Sequence, residues 1–576
     1  MNDSDVAVFV TVDAVFVDTS VNEGVMLAAV KTLSRDDALF TCARINAIVS
    51  GFGPGRSNYQ RQDAAITTLC SRDEMLAISR YAIKHGGPGR IVAFFRGQLL
   101  ELARWLVLNG QNLPGDGETF ADPATRSAFV RAALIASELW QRRVFPDGIK
   151  PTADREQQMR RLLGSFRKSM EEANEAEHPG LSMSRGWILF SRYLPTYLPE
   201  FSELFQRSTG LSLRQYFICA TALMDRTFSD HRKKERIFRT DYVQGTTGFK
   251  DVFATFIGLL SQTPEQWAQK LRNRSDDNGH LSLRERPILN FDRGRSIIFD
   301  PVFYLDNLST APLFYLRTMG VPMNKVFGAF GCAFEDYTKQ LLKHRFPATG
   351  SLCQCLKCNV MGQEAEGQEF EVDAVLNDVS AAIFLEVKAA WIREETVLAD
   401  DPEVFLNEIR SKYGYLAGSK ERPKGVAQLA RSIGALVRHE WAGSGGEYGN
   451  VTQIYPVLTV FDIRMAAPGC SHFLDGEFRA LLGAVPDGVH VHKLIVMTIS
   501  DLEHLISGLE SLSLHECLRA YSAADPDRMS SVRNFIAGSK NLNEVRSSPF
   551  VGEAFDELMK AVREELSPDL AQASDQ

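Results

Sequence analysis

Three polar residues interrupt two apolar runs in the segment 369–391, at positions where a buried strand would exclude them. They are Asp373 in the first run, and Glu386 and Lys388 in the second. Carboxylate oxygens are the ligands that Mg²⁺ prefers, and the bound ion keeps positions open for water and a phosphate oxygen. A lysine beside such an ion can orient the attacking water, favour its deprotonation or neutralise charge on the phosphate. These residue types therefore predict metal-assisted hydrolysis of a phosphate ester.

The two runs predict a β-hairpin that would bring these residues together. One face of the first strand is predicted to hold the apolar side chains Phe370, Val372, Ala374 and Leu376. Asp373 then points to the opposite face, because strand side chains alternate, and Glu386 and Lys388 share one face of the second strand. If the apolar faces pack together, Asp373 lies opposite or diagonal to Glu386, within roughly 5–8 Å. One divalent cation can bridge carboxylates at that distance.

Two predicted helices flank the hairpin and carry further polar residues. The segment 321–346 has apolar residues at helical spacing and contains Glu335, which could add a metal ligand directly or through water. A second helical segment, KGVAQLARSI, follows the hairpin and contains Gln428, with Lys424 one turn before it. The flanking helices turn a common strand motif, Glu-x-Lys, into a set of four or five polar residues in a defined order.

In this order the residues resemble the PD-(D/E)XK nuclease superfamily, which has the restriction-endonuclease-like fold. The family pattern is an acidic residue on the first core helix, an Asp, roughly a dozen residues, and Glu-x-Lys in the next strand. Twelve residues separate Asp373 from Glu386, and Val372 stands where the family's name has proline, which members often lack. The order is closest to the branch with Holliday-junction resolvases, type IV restriction enzymes and nuclease-related domains, many of which carry a glutamine on the following helix.

The resemblance implies a metal-dependent nuclease within an α/β domain, a mixed sheet flanked by helices, over residues 321–510. The catalytic residues implied are Asp373, Glu386, Lys388, Glu335 and Gln428. Mg²⁺ or Mn²⁺ would be held by Asp373, Glu386 and Glu335. The partner implied is nucleic acid, with DNA favoured over RNA, and Lys424 and Arg431 are candidates for contacting it. A role in prokaryotic anti-phage defence or DNA repair follows by analogy with the family alone.

A basic run, HRKKERIFR at residues 231–239, is a second candidate for nucleic-acid contact. Arg232, Lys233 and Lys234 could neutralise phosphates without regard to sequence. A solvated helix end has the same composition, and we favour that interpretation. The formal net charge of −8 does not indicate a broadly basic surface, so any nucleic-acid-binding surface must be local.

Cysteines and histidines raise the question of a zinc site. Cys353, Cys355 and Cys358 stand close together and could bind Zn²⁺ with His344 or a distant cysteine as fourth ligand. The spacing is not a paired C-x-x-C set, so we favour reduced thiols in a reducing compartment. On a later predicted strand, the pair His490 and His492 could approach the site, but partly exposed strand positions are favoured because no matching ligand set accompanies them.

The length of 576 residues predicts several domains. We expect a short β-containing segment (1–60), a mainly helical region of unknown role (61–280), a linking hairpin and helix (281–320), the nuclease domain (321–510), and C-terminal helices with a disordered tail (511–576). No apolar run approaches the ~18 residues of a membrane span, and the N-terminus lacks the basic residues of a signal peptide. We therefore expect a soluble, cytoplasmic protein without a membrane partner.

Two other function classes stay open. One is a catalytically inactive nuclease fold that only binds nucleic acid, although a binding module has no need of an intact Asp, Glu and Lys set. The other is an interaction scaffold, in which the helical half would mediate homo-oligomerisation or bind a partner protein and the hairpin would be a bystander.

Overall fold

The protein is a mixed α/β chain. The computed structural model describes residues 8–16, 21–50, 58–112, 122–145, 160, 163–164, 167, 172, 178–228, 238–239, 249–273, 280–291, 294–346, 354–363, 369–399, 401–414, 424–438, 448, 450–509, 513–528, 530–539, 542 and 548–566. None of the helices in these ranges is long and apolar enough to cross a lipid bilayer.

Helices dominate the described part of the first three hundred residues. They are α1 (Glu23–Lys31), α2 (Arg35–Val49), α3 (Asn58–Leu69), α4 (Arg72–Lys84), α5 (Arg96–Asn109), α6 (Pro123–Val144), α7 (Pro179–Ile188), α8 (Leu194–Tyr197), α9 (Phe201–Thr209), α10 (Leu213–Phe228), α11 (Phe249–Leu260), α12 (Pro264–Asn273) and α13 (Leu281–Glu285). The short strands among them are β1 (Val8–Phe9), β2 (Ile91–Val92), β3 (Phe238–Arg239), β4 (Ser261–Gln262), β5 (Ile288–Phe291) and β6 (Arg295–Ile298).

The rest of the chain alternates helices with the strands of one larger sheet. Its helices are α14 (Pro301–Tyr315), α15 (Met323–Arg345), α16 (Glu394–Leu398), α17 (Pro402–Tyr413), α18 (Val426–Val437), α19 (Cys470–Leu482), α20 (Ile499–Gly508), α21 (Leu514–Ala524), α22 (Val532–Gly538) and α23 (Pro549–Leu566). Its strands are β7 (Cys355–Gln363), β8 (Glu369–Asp378), β9 (Ala381–Lys388), β10 (Gln453–Val460), β11 (His490–Val491) and β12 (Ile495–Thr498).

The larger sheet is mixed and has the order β11-β10-β9-β8-β7, with β12 also paired to β10. Strands β7, β8 and β9 form an antiparallel meander, so the predicted hairpin is present. Strand β10 then pairs with β9 in parallel. Seven of the eight residues of β9 are buried, because helices cover both faces of the sheet, and its sequence is accordingly apolar almost throughout.

The predicted long helix over 321–346 is present as α15 and lies at the centre of the largest hydrophobic core. Phe330, Phe334 and Leu341 are buried along it, at the spacing of one helical face. That core joins α15 to helices between α7 and α11, to one face of the sheet and to the C-terminal helices. The helical half therefore packs against α15, and this packing runs across the predicted domain boundaries at 280 and 510.

A second core fills the N-terminal region. It includes apolar residues from Val10 to Phe303, among them Leu289 and Ile297 of the hairpin β5–β6. The predicted linking hairpin packs in both cores, because its Ile288 and Ile298 belong to the core around α15. The segment 1–60 contains one described strand, Val8–Phe9, which pairs with Ile91–Val92, while its remaining described elements are helices.

A buried carboxylate, that of Asp300, joins three parts of the N-terminal core. Arg96 donates from Nε to Oδ2 (2.7 Å) and from Nη2 to Oδ1 (3.1 Å). Asn46 donates to Oδ2 at 2.9 Å, and the main-chain N–H of Phe303 donates to Oδ1 at 2.8 Å, where Asp300 caps α14. The side chain of Asp300 is fully buried and that of Arg96 is 4% exposed, so each charge depends on the other for compensation.

We predict that Arg96→Met lowers the free energy of unfolding by about 3 kcal/mol or more, because it leaves a carboxylate buried without its counter-charge. The matched control is Arg207→Met, since Arg207 pairs with Glu203 in an exposed position where both side chains are more than half accessible. An exposed pair is worth about 1 kcal/mol at most. Denaturant unfolding followed by circular dichroism compares the two; equal effects would contradict the role given to Asp300.

Candidate metal centre

The site lies where strands β8 and β9 separate. Their ladder runs from Asp378↔Ala381 to Ala374↔Leu385 and goes no further. At the next step the carboxylate of Asp373 takes the place of a main-chain carbonyl, because its Oδ2 accepts the N–H of Val387 at 2.7 Å. Strand β9 continues its pairing with β10 on its other side. The separation thus opens a gap beside β9 and fixes Asp373 at its margin.

The predicted apolar face of the first strand is wrong in one respect. Phe370 and Val372 pack in the core that includes α18, whereas Ala374 and Leu376 pack in the core around α15. The four residues therefore do not form one face. The ladder between β7 and β8 is interrupted at the same place, since Asn359 and Asp373 do not pair and Asn359 has a left-handed φ of 52°.

Glu386 and Lys388 face the gap from β9. Glu386 is 1% exposed, and the ammonium nitrogen of Lys388 lies 2.6 Å from its Oε1. The lysine side chain is 25% exposed, so it connects the buried carboxylates to solvent. The structure therefore brings together Asp373, Glu386 and Lys388, the three residues that the sequence placed at the centre of the site.

Helix α15 contributes a second acid–base pair. Glu335 and Lys339 form an ion pair one turn apart, and Lys339 is 4% exposed. Glu335 acts electrostatically on Asp373, Glu386 and Lys388, which places it within range of the cluster. Its carboxylate is engaged by Lys339, which sequence reasoning missed; the four-residue spacing from Glu335 on a predicted helix was the available signal.

The electrostatics of the cluster are unbalanced. Burial raises the pKa of Asp373 to about 6, with the charge of Glu335 adding to it. Burial and the charge of Asp373 raise the pKa of Glu386 to about 8. Burial alone would lower the pKa of Lys388, but the charges of Glu386 and Asp373 outweigh it and hold that pKa above its usual range. Two buried carboxyl groups, with the partly exposed Glu335 beside them, thus share two lysines.

The donor set fits a divalent cation with two protein carboxylates. Asp373 and Glu386 come from adjacent strands and offer hard oxygen ligands, and a cation between them would relieve the repulsion that raises both pKa values. In the part of the chain that the structure describes, no group of three His, Cys, Asp or Glu residues is close enough to hold a metal. The remaining coordination positions would then belong to water and substrate, as Mg²⁺ sites commonly arrange them.

Gln428 has a structural partner of its own. It is the third residue of α18, and its Oε1 accepts the N–H of Gly425 at 2.9 Å, closing the helix N-terminus. Gly425 has φ 52°, and a Cβ there would meet the carbonyl oxygen of Tyr413 at 2.4 Å, so this position requires glycine. The structure shows that Gln428 caps the helix, and a catalytic role for the same residue remains a prediction.

The other predicted contacts are placed only in part. Lys424 is exposed just before α18 and Arg431 is half-buried within it, and their contact with nucleic acid remains a prediction. The basic residues Arg232, Lys233 and Lys234 lie outside the described residues, as does Cys353. Cys355 and Cys358 lie on β7, and the ring of His344 stacks on Phe550 with centroids 4.8 Å apart.

No family model matches this sequence, and neither a curated protein nor a solved structure matches it. The interpretation of the site therefore rests on its residues and their geometry.

We predict that Glu386→Gln removes a pH-dependent loss of stability in metal-free buffer. Below pH 4.5, the ordinary pKa of a glutamate, Glu386 is protonated in both the folded and the unfolded state. Its raised pKa in the folded state therefore does not lower the free energy of unfolding in that range. Between pH 4.5 and about 8 the carboxyl group is ionised in the unfolded state but still protonated in the folded state. The free energy of unfolding therefore falls by about 1.4 kcal/mol for each pH unit in this range. The unfolding midpoints of the two proteins should diverge from pH 5 to 8.5.

The control for this experiment is Glu369→Gln on β8, where the side chain is exposed. That variant should follow the wild type throughout the pH range. A constant difference between the wild type and Glu386→Gln across this range would contradict the raised pKa.

Proposed function

We propose that the protein is a metal-dependent nuclease that hydrolyses phosphodiester bonds, with DNA favoured over RNA as substrate. The observation that carries the proposal is the convergence of Asp373, Glu386 and Lys388 at the point where β8 and β9 separate. Carboxylates that could hold a metal, together with a charged lysine that has access to solvent, suit metal-assisted hydrolysis of a phosphate ester. A place in prokaryotic anti-phage defence or DNA repair is part of the proposal by analogy alone.

The order of elements supports a restriction-endonuclease-like fold for this region. A helix bearing an acidic residue, α15, precedes an antiparallel meander whose second and third strands carry Asp373 and the Glu-x-Lys motif. A helix bearing glutamine, α18, then leads to a strand parallel to the third, which is β10. Each residue of the motif thus lies on the kind of element that the resemblance requires.

The residues of the cluster take different parts in the proposed reaction. Asp373 and Glu386 would hold Mg²⁺ or Mn²⁺, which when bound polarises the phosphate and lowers the pKa of its water. The charges of Glu386 and Asp373 hold the pKa of Lys388 above its usual range, which favours its charged form. It would donate a hydrogen bond to the attacking water or to a phosphate oxygen. Lys339 would hold Glu335 in place beside them.

Burial of the carboxylates argues against a module that only binds nucleic acid. Such a module needs cations on its surface, because phosphates carry negative charge. Here two acidic side chains less than a tenth exposed lie in the gap, at a cost to stability that phosphate binding without metal would not offset. A metal-dependent active site would explain why these residues are present despite their cost to stability, because active sites commonly reduce stability in favour of activity.

We predict that the purified protein cleaves nucleic acid in Mg²⁺ or Mn²⁺ and not in EDTA. Supercoiled plasmid, linear duplex, single-stranded DNA and RNA should be compared as substrates by gel electrophoresis. Asp373→Asn, Glu386→Gln and Lys388→Met should each lower the rate about 100-fold or more, because each removes a metal ligand or a charge at the reacting phosphate. The controls are Glu369→Gln and Lys343→Met, which change exposed residues on β8 and α15.

The outcomes separate the three function classes. Cleavage lost in the site variants and retained in the controls supports the nuclease. Binding of nucleic acid without cleavage under any divalent metal supports the inactive module. Neither binding nor cleavage supports the scaffold, whose helical half would then be tested for homo-oligomerisation or a protein partner.

We predict separately that Mg²⁺ raises the unfolding midpoint of the wild type. A ligand that binds only the folded state adds about 2.7 kcal/mol of stability at one hundred times its dissociation constant. The shift should be lost in Asp373→Asn and kept in Glu369→Gln, as measured by thermal denaturation with and without EDTA. An equal shift in both variants would place the metal elsewhere, whatever the activity of the protein.

A further inference from the structure

A cavity of about 660 Å³ opens at the edge of the sheet formed by β11. It lies between α19 and the segment that follows α21, and its lining includes Arg479, His490, Lys493 and Arg528. Strand β11 pairs with the beginning of β10 at Gln453–Ile454, whereas Lys388 aligns with Val460 at the end of that strand. Seven residues of strand span roughly 20 Å. The cavity is therefore separate from the carboxylate cluster.

Arg528 is the most unusual residue of this cavity. It is 2% exposed, and its guanidinium donates to the carbonyl oxygen of Asp525 (2.7 Å), the hydroxyl of Ser522 (2.8 Å) and the carbonyl of Lys493 (3.4 Å). The guanidinium also lies over the ring of Tyr521, 5.0 Å from its centroid. None of the carboxylates that the structure describes forms an ion pair with it, although Asp525 and Asp475 act on it electrostatically, and its buried Nε has no hydrogen-bond partner. Burial still lowers the pKa of Arg528, so its charge is only partly compensated and the position favours an anionic ligand beside it.

The backbone of Arg528 is also held in an uncommon conformation. Its φ is 56°, in the left-handed region that a residue with a long side chain seldom adopts. Four hydrogen bonds or ring contacts from neighbouring elements hold the side chain in place. Backbone strain of this kind persists where the surroundings fix one geometry, and it is concentrated at binding sites.

Other cations surround the opening. Arg479 pairs with Asp475 at 3.4 Å, but that carboxylate also accepts the N–H of Leu494. Lys493 pairs with Asp527 at 3.6 Å in a partly exposed position, where the pair is screened by solvent. Burial, followed by the positive charges of His490, Arg528, His515 and Arg479, lowers the pKa of His492 to about 4. Arg479, Lys493 and Arg528 thus bring three cations to the cavity, and Asp475 and Asp527 are paired with two of them.

The walls of the cavity are apolar and aromatic. Val485, Val489, Val491 and Pro526 line it beside the cations. The ring of His492 stacks on Tyr455 with centroids 3.9 Å apart, and the exposed ring of His490 stands edge-on to His492. A ligand suited to these walls has a flat, weakly polar part in addition to its negative charge. The volume matches a small molecule, since ligand pockets span about 300–1,000 Å³.

We propose that this cavity binds a nucleoside phosphate, with its phosphate at Lys493 beside the buried charge of Arg528 and its base against the ring of His490. The proposal is independent of nuclease activity, because none of its residues belongs to the carboxylate cluster. The shared chemistry is a phosphate attached to a nucleoside, which a free nucleotide or the 5′-phosphate end of an oligonucleotide could supply; the volume of about 660 Å³, within the range of small-molecule pockets, favours the free nucleotide.

Isothermal titration calorimetry in EDTA tests the proposal with four probes: AMP, ATP, adenosine and inorganic phosphate. AMP or ATP should bind with one site per chain, while adenosine and inorganic phosphate each bind at least tenfold more weakly, because each lacks half of the recognised groups. Lys493→Ala should weaken nucleotide binding about tenfold through the lost charge. The side chain of Lys493 is 41% exposed, so this variant should fold even where Arg528→Met does not.

Two control variants and one further probe make the result specific. Lys560→Ala removes an exposed lysine on α23, and Lys388→Met changes the carboxylate cluster; both should bind nucleotide as the wild type does. A 5′-phosphorylated oligonucleotide that binds more tightly than AMP would overturn the assignment to a free nucleotide. Absence of nucleotide binding at millimolar concentration, unchanged binding in Lys493→Ala, or loss of binding in Lys388→Met would overturn the proposal as a whole.

Discussion

The hydrogen bond between the N–H of Val387 and the carboxylate of Asp373 is the interaction on which the proposed site depends. A buried main-chain N–H must find an acceptor, and here the neighbouring strand has already moved away. A side-chain carboxylate serves instead, so Asp373 is held in one position and its charge is kept beside Glu386. The separation of the strands therefore also fixes the position of the first proposed metal ligand, and Lys388, whose side chain is 25% exposed, links that position to solvent.

The charges around that gap also explain why the helical half of the chain matters. Glu335 and Lys339 reach the cluster from α15, whose opposite contacts include the helices between α7 and α11 and the C-terminal helix. The position of α15 therefore depends on residues far from the site in sequence. Because Asp373 and Glu386 are buried close to each other, we expect the cluster to lower stability unless a cation is bound. The apolar packing around α15 contributes stability that can offset that cost.

Much of the site was predictable from local patterns. Apolar alternation around a turn predicts the hairpin, and helical spacing of aromatic residues predicts α15; both are present. The same patterns failed for the apolar face of β8, because the interruption at Asn359 and Asp373 depends on the neighbouring strand. They could not distinguish a capping role for Gln428 from a catalytic one, since both place glutamine near the start of a helix. Lys339 was missed because a lysine on a helix is ordinarily solvated.

The sequence by itself determined the types and order of the chemical groups: an acid on a helix, an aspartate, and Glu-x-Lys on the next strand. Only the tertiary structure decided how far those groups are buried, which raises the pKa of both central carboxyls, and which lysines compensate them. It also decided that cations from Arg479 to Arg528 meet at one cavity. The physical reason is that burial and electrostatic balance are set by contacts between distant segments, whereas alternation and helical spacing are properties of neighbouring residues.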